Sequence, residues 1–270
     1  MVTNNQENTF FKLSIQVSLN GLSFCILNTT NNTIVYYHKK SFEKELDPVN
    51  LLQKIEEEYN TQPRLKTAVN EVKLCFCNSL FTLVPKKWFK EDAAASYLKF
   101  NTKILKTDFV AVDEIENKEM VNVYIPYTNI INYFFEKYGE FEYVHHLSVL
   151  LYRFLSFDDH KGIKVYAHNT HKRLDLFIIE DGRLLLCNSF TYSSKEDYLY
   201  YLLFVAEQLD LDPKKFKLHL SGDIHKEDDI YKLLQDYIRN IYFLSSETEH
   251  EIEEGWNINK SEEYILLNTL

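Results

Sequence analysis

Cysteine and histidine are the residues of this sequence whose chemistry would be easiest to recognise, because thiolates and imidazoles together bind zinc. The candidate ligands are Cys75, Cys77, His145, His146, His168 and His171. Two cysteines one residue apart on a strand point to the same face of a sheet, and no second cysteine pair follows to complete a zinc finger. We therefore predict packed core thiols and no metal site.

A second chemical candidate is His168 acting as a general base, with Asp175 or Asp223 orienting its ring. The favoured alternative is a loop histidine satisfied by local hydrogen bonds. The stretch Ser221-Gly222-Asp223 lacks the Gly-x-Ser-x-Gly setting of a nucleophile elbow. No catalytic residue is assigned, and a protein that is not an enzyme is favoured over an enzyme.

Lysines and aromatic residues alternate at Lys86, Lys87, Trp88, Phe89 and Lys90. Such a cluster can contact nucleic acid, but a short one is more often the outer face of an amphipathic surface helix. The formal net charge of the chain is −10, which opposes a general polyanion-binding surface. We do not expect a nucleic-acid partner.

The elements that position these residues are organised around Ile163–Phe190, whose alternating apolar residues predict three strands. Asp181-Gly182 supplies the tight turn of a hairpin between the second and third of these strands. Leu13–Phe42 repeats the pattern near the N-terminus. A helix and a further strand follow each triplet, ending at Val72–Cys77 in the first copy and at Phe216–Leu220 in the second. The repeat predicts a duplication.

The two copies define the predicted domains. Residues 1–157 form the first half-domain, with a small subdomain inserted at about residues 85–120, and residues 158–246 form the second. Residues 247–270 form an acidic tail, because seven acids and one lysine lie in Ser246–Glu263. The tail is expected to be less ordered than the body, apart from Trp256 and its last apolar residues, which can dock.

The rest of the composition predicts a reduced, folded protein. Hydrophobic residues make up 45% of the 270 residues, and the four cysteines lie in apolar strand-like runs. The longest apolar run, Leu199–Ala206, is far shorter than the roughly 20 residues of a membrane-spanning helix. The N-terminus lacks the pattern of a secretion signal. We expect no membrane span and a cytoplasmic location.

Three stretches resemble a known family: LSIQVSLNGLSFCILN, FTLVPKKWF and AHNTHKRLDLFIIEDGRLLLCNSF. The sequences of these stretches are similar to those of domain-of-unknown-function family 3822 of Bacteroidetes. In its order of elements the chain is also similar to actin-like pilus assembly and secretion-platform proteins. The resemblance implies an α/β actin-like ATPase fold, with two duplicated ribonuclease H-like halves of βββαβα order and a small subdomain inserted in the first.

The resemblance also identifies where nucleotide would bind. The first phosphate loop normally reads Asp-x-Gly, and this position here holds Gln16-Val17-Ser18. At the position of the second phosphate loop this chain holds His168-Asn169-Thr170, and at the adenosine loop its one glycine is Gly222. The acid that would position magnesium and the glycine that would admit phosphate are absent from both phosphate loops. Gln16, Ser18, His168, Thr170 and Gly222 are therefore degenerate nucleotide-binding positions.

These departures predict a catalytically silent actin-like domain that acts as a protein-binding or scaffold module. The alternative is an ATPase or small-molecule kinase with degenerate phosphate loops. No cofactor is expected, although weak binding of ATP and magnesium stays open, because Ser18, Thr170 and the amide near Gly222 can still donate hydrogen bonds. The expected partner is an unidentified protein, and self-association also stays open.

Overall fold

Two separate β-sheets carry the duplicated pattern. A computed structural model describes residues 9–115, 119–157, 161–246 and 250–270. The first half-domain and its insertion contain, in chain order, β1 (Phe11–Ser18), β2 (Gly21–Asn28), β3 (Thr33–Ser41), α1 (Pro48–Thr61), β4 (Glu71–Phe76), β5 (Phe81–Pro85), α2 (Ala94–Leu98), β6 (Ala111–Glu114), β7 (Met120–Tyr124), α3 (Thr128–Tyr138), β8 (Glu142–His145) and α4 (His146–Leu155).

The second half-domain repeats the order of strands and helices without the insertion. Its elements are β9 (Ile163–Thr170), β10 (Arg173–Glu180), β11 (Arg183–Thr191), α5 (Lys195–Gln208), β12 (Lys217–Gly222), α6 (Asp229–Tyr237), β13 (Asn240–Phe243), β14 (Glu251–Ile252) and α7 (Tyr264–Asn268). The predicted domain boundary falls beside residues 158–160 and the predicted start of the tail at 247–249, which lie outside the described residues.

The strand orders of the two sheets correspond. The first sheet runs β14-β3-β2-β1-β4-β8 and the second runs β11-β10-β9-β12-β13. In each, the first three strands of the half-domain pair antiparallel, and the fourth pairs parallel to the first. A helical crossover between the third and fourth strands permits this parallel return. The two copies of the predicted repeat therefore have the same pairing pattern.

The register fixes which residues of the two halves are equivalent. Leu13 pairs with Ile26 and Val72. Val165 occupies the same place in the second sheet, because it pairs with Ile178 and Leu218. Counting along β1 and β9 from these two residues makes Gln16 equivalent to His168 and Ser18 equivalent to Thr170.

The C-terminal segment corrects the predicted half-domain limits. Each half continues past the predicted βββαβα order with a fifth strand and a final helix, β8 and α4 in the first half and β13 and α7 in the second. Residues 250–270 are therefore part of the folded body. The pair Glu251–Ile252 adds a parallel strand beside β3, and the first four residues of α7 are buried. The predicted docking of Trp256 and the last apolar residues is confirmed, since Trp256 packs on Tyr36 and α7 packs on β1 and β2.

The last helices of the two halves are exchanged across the molecule. Helix α4 packs on β10 of the second sheet, whereas α7 packs on β1 and β2 of the first sheet and against α4. Phe154 of α4 stacks on Tyr166 with ring centroids 4.3 Å apart and contacts Phe177 edge to face. Ser14 of β1 donates a hydrogen bond to the carbonyl oxygen of Leu266 in α7. This exchange holds the two sheets in one body.

The inserted subdomain is wider than predicted. Its three-stranded sheet has the order β5-β7-β6, so residues 81–124 form the subdomain instead of about 85–120. Helix α2 covers one face of the sheet, where Leu98 is buried with Val84, Val121 and Val123. Strands β5 and β7 lie at or beyond the predicted limits because their apolar runs read equally well as parts of the body.

Local signals in the sequence explain where the longer helices begin. Asp47 accepts hydrogen bonds from the amides of Val49 and Asn50 at the start of α1. Ser194 and Asp197 form a capping box at the start of α5. At the β10–β11 turn, Asp181 and Gly182 have φ of 47° and 77°, as a two-residue hairpin turn requires.

Candidate functional site

The predicted nucleotide-binding positions meet at one small cavity between the halves. Gln16 and Ser18 line it from β1, and His168 and Thr170 line it from β9. Its volume is about 30 Å³, which is room for roughly two water molecules. The structure therefore brings four of the five predicted residues together and places Gly222 next to Asp223, which also lines the cavity. The cavity itself is too small for a nucleotide, but Ser18 and Thr170 also line a larger neighbouring cleft.

His168 is a buried, hydrogen-bonded histidine. Its Nδ1 atom lies 2.9 Å from Oγ of Ser221 on the neighbouring strand β12. Burial lowers the pKa of His168 to about 4, although the nearby Asp175 acts to raise it. The ring is neutral at pH 7 and cannot replace the carboxylate of a phosphate loop. Ser221 is itself fully buried, so this serine and histidine pair has no path to a substrate.

Gly222 is required by a close approach between two backbones. Its φ is +82°, and a Cβ atom at this position would overlap the carbonyl oxygen of Asn169. The Gly222 amide donates a hydrogen bond to the carbonyl oxygen of Ser261, 2.9 Å away in the C-terminal segment. The amide that an adenosine loop would offer to a nucleotide is therefore occupied by the chain itself.

Lys39 forms ion pairs with three carboxylates beside the same cavity. Its Nζ atom lies 2.9 Å from Glu263, 3.5 Å from Asp223 and 3.6 Å from Glu262. Tyr37 donates a hydrogen bond of 2.8 Å to the same Glu263 oxygen. Burial alone would lower the pKa of Lys39, but Glu263 and Asp223 raise it well above its usual range. We call Lys39 and these three carboxylates the lysine cluster; it joins β3, the second half and the C-terminal segment.

A second polar cluster lies where α4 meets the second sheet. The Nε2 atom of His146 is 2.9 Å from Oδ2 of Asp175, and Nε of Arg173 is 3.2 Å from Oδ1 of Asp175. Ser189 also donates a hydrogen bond to Asp175. Burial would raise the pKa of Asp175, but Arg173 and His146 hold it well below its usual range. We call these four residues the aspartate cluster.

The two clusters occupy equivalent places in the duplicated fold. Lys39 pairs with Ser23 across β2 and β3, as Ser189 pairs with Asp175 across β10 and β11. In each cluster, a residue at the start of the exchanged helix reaches these strands: Glu263 caps α7, and His146 begins α4. The clusters have the same architectural role with different chemistry. Sequence reasoning missed the lysine cluster because Lys39 is more than 180 positions away from each of its three carboxylates.

A larger cleft lies beside both hairpin turns that follow β1 and β9. It has a volume of about 620 Å³ and is bordered by basic Lys172 and Arg173 and acidic Glu43 and Glu45. A second cavity of about 500 Å³ lies between the edge strands β5 and β11. Ser79 and Thr191 line both cavities. The two cavities are therefore adjacent, and we call them together the groove between the inserted subdomain and the second half.

The described residues offer no clustered set of metal ligands. Within residues 9–115, 119–157, 161–246 and 250–270, no group of three His, Cys, Asp or Glu side chains is arranged to hold a metal ion. Cys25, Cys75 and Cys77 are buried free thiols. In the part of the chain that the structure describes, no helix has the length and hydropathy that crossing a membrane would require.

Comparison with known proteins places the chain among proteins of this architecture. A family model described as "protein of unknown function (DUF3822)" matches residues 2–241. A crystal structure from Bacteroides thetaiotaomicron VPI-5482, a protein with an actin-like ATPase fold and unknown function, has 23% identity and a TM-score of 0.80, with 96% of each chain covered. A structure of the PilM-PilN type IV pilus biogenesis complex has 15% identity and a TM-score of 0.61, with 96% of this chain and 97% of the other covered. No curated protein matches the chain. The predicted actin-like fold is confirmed.

Proposed function

This chain belongs to the DUF3822 family, and we propose that it is an actin-like domain that binds a protein partner and does not hydrolyse ATP. The observation that carries the proposal is the hydrogen bond from the Gly222 amide to Ser261, together with the ion pair of Lys39 with Glu263. Both contacts fill the space between the halves with the C-terminal segment. A nucleotide bound there would have to displace it.

The residues at the phosphate-loop positions support the same proposal. Gln16 is uncharged, and His168 is held neutral by burial, so neither can position a magnesium ion as a carboxylate does. Asp175 is the nearest ionised acid on the second hairpin, but it is buried and already bonded to Arg173 and His146. An acid in this state has no free oxygen to offer a metal.

The groove between the inserted subdomain and the second half is the proposed partner site. Its two cavities share Ser79 and Thr191, so an extended segment of a partner can lie through both. Strands β5 and β11 are the edges of their sheets and border it with unpaired backbone groups. The PilM-PilN complex is an instance of a protein of this fold with a protein partner. A cytoplasmic location is part of the proposal.

The groove can be tested with a photo-crosslinking residue at Ser79, which is exposed and lines both cavities. The matched control places the same photo-crosslinking residue at Glu180, which is exposed. Glu180 lies beside the tight turn at the end of β10 that is farther from the groove. We expect one protein to be captured in the native host from Ser79 and not from Glu180. Identical products from both positions, or none from Ser79, would contradict the proposed partner site.

An ATPase or small-molecule kinase is the second candidate, because a cleft of about 620 Å³ beside both hairpin turns is large enough for a small ligand. Isothermal titration with ATP and magnesium separates the two. We expect no binding in the micromolar range. Ser18 lines both the small cavity and the larger cleft, so micromolar binding that disappears in Ser18→Ala would favour the enzyme.

A further inference from the structure

Residues 86–110 form a covering layer over one face of the inserted subdomain's sheet. The inner side of this layer packs on the sheet, because Ala94 and Leu98 are buried against the valines of β5 and β7. Phe89 and Ile104 pack at the edge of the same small core. The side chains of the layer that do not point at this core therefore form its outer surface.

The outer surface exposes large apolar side chains. Trp88, Phe100, Leu105 and Phe109 are 65%, 88%, 63% and 44% exposed. Scattered single apolar residues are ordinary on a protein surface, but four within 22 residues of one covering layer mark an interaction site. None of the four lines a cavity of the groove between the halves. They protrude from the layer and do not enclose a pocket for a ligand.

The same layer is basic in an acidic protein. Its lysines are all exposed, at positions Lys86, Lys87, Lys90, Lys99, Lys103 and Lys106. Glu91, Asp92 and Asp108 are the acids within the layer, so its net charge is +3 while the whole chain has −10. Lys86 also pairs with Glu114 of β6 at 2.7 Å, so the other five lysines carry the attraction. An anionic surface would attract this layer and repel the rest of the molecule. The charge distribution therefore fixes the orientation in which such a surface is met.

We propose that this outer surface docks on the surface of an anionic lipid bilayer. A bilayer interface offers apolar depth for Phe100 and Leu105, headgroup-level packing for Trp88 and negative charge for the lysines. Nucleic acid supplies the charge and a stacking face for aromatic rings, but it gives an aliphatic side chain such as Leu105 no stacking partner. A bilayer is the occupant that uses every exposed group of the layer.

Vesicle flotation with the full chain tests the proposal. We expect the protein to float with vesicles of phosphatidylcholine and phosphatidylglycerol, and not with phosphatidylcholine alone. Combined Phe100→Ser and Leu105→Ser should weaken partitioning at least about tenfold, because two apolar side chains lose their insertion. The matched control is Tyr200→Ser with Phe204→Ser, which removes two exposed aromatic rings from α5. This control pair should float as the wild type does.

Tryptophan fluorescence gives a second readout that does not depend on the amount bound. Trp256→Phe keeps Trp88 as the one tryptophan, and Trp88→Phe keeps Trp256, which packs on Tyr36. Brominated lipid in the anionic vesicles should quench Trp88 and leave Trp256 unquenched. The proposal is overturned if the wild type does not float with anionic vesicles, if the variant with both Phe100→Ser and Leu105→Ser floats as the wild type does, or if Trp88 is not quenched. Binding to vesicles through the lysines alone would give the second of these results.

Discussion

The Nζ atom of Lys39 lies 2.9 Å from Oε1 of Glu263, which joins the third strand of the first half to the cap of the last helix. Glu263 is almost fully buried, and Lys39 is its nearest cation. The contact matters because α7 lies on the first sheet and α4 on the second. Each half therefore ends in a helix that is held on the other half by a polar cluster.

Removing the cation of the lysine cluster should destabilise the fold. Lys39→Met leaves Glu263 buried near Asp223 and Glu262, and we expect the free energy of unfolding in urea to fall by about 1–3 kcal/mol. Lys40→Met is the matched control, since Lys40 is half-exposed and 3.9 Å from Glu58. Its effect should be within about 0.5 kcal/mol. Equal effects of the two substitutions would show that the cluster does not hold the halves.

The aspartate cluster predicts a larger loss. Asp175→Asn leaves the guanidinium of Arg173, which is 16% exposed, without its carboxylate, and loss of one partner of a largely buried ion pair costs up to about 3–5 kcal/mol. Asp181→Asn in the next turn is the control, because asparagine also tolerates the positive φ of that position. Thermal unfolding of the two variants checks the prediction. A stable Asp175→Asn protein would mean that Arg173 is solvated.

Gly222→Ala should disturb the C-terminal segment as well as the backbone. The positive φ costs about 1–2 kcal/mol for alanine, and the clash with Asn169 adds about 1–3 kcal/mol. Gly255→Ala has a positive φ and no neighbouring atom within 4 Å, so it isolates the backbone cost. Limited proteolysis should cut the segment after residue 250 sooner in Gly222→Ala than in Gly255→Ala. The same cleavage rate in both would contradict a role for Gly222 in holding this segment.

Stability should depend on pH through His168. Its folded pKa of about 4 is below its ordinary 6.5, so the neutral ring contributes stability above pH 6.5 that is lost as the pH falls towards 4. Over this window the loss is on the order of 3 kcal/mol. The ring is surrounded by Asp175, His146, Arg173 and Asp223.

Burial raises the pKa of Asp113 to about 6, so the contribution of Asp113 to stability increases as the pH falls, opposite to that of His168. Every variant retains Asp113, so its contribution cancels when two variants are compared. His168→Gln should therefore lose stability less steeply than the wild type between pH 6.5 and 4. His171→Asn replaces an exposed histidine at a positive φ and should keep the wild-type slope. Parallel denaturation curves for the wild type and His168→Gln would contradict the assigned role.

The sequence was most informative where the signal was local. The alternation in Ile163–Phe190, the turn at Asp181-Gly182 and the caps at Asp47 and Ser194 all predict elements that the structure contains. The equivalence of Gln16 with His168 also follows from the repeat. These features depend on neighbours within a few positions along the chain, which is the range that periodicity and capping describe.

The parts that sequence reasoning missed depend on distant residues. Strand β14 has two residues and α7 has five, so neither leaves a periodic pattern. The acids around them predict a solvated tail, and only the packing on the first sheet shows that Glu263 turns inward to Lys39. The same holds for His146, whose partner Asp175 lies on the other half. Long-range polar pairs leave no spacing rule in a single sequence.

Magnesium-dependent ATP hydrolysis by the purified wild-type chain tests the central claim most directly. We predict a rate no higher than the background without protein, because Gln16 and neutral His168 leave both hairpin ends without a metal-positioning carboxylate and the C-terminal segment occupies the Gly222 amide. Turnover by the wild type that Asp223→Ala abolishes would contradict this account, because it would show that an acid from the lysine cluster supplies the missing charge.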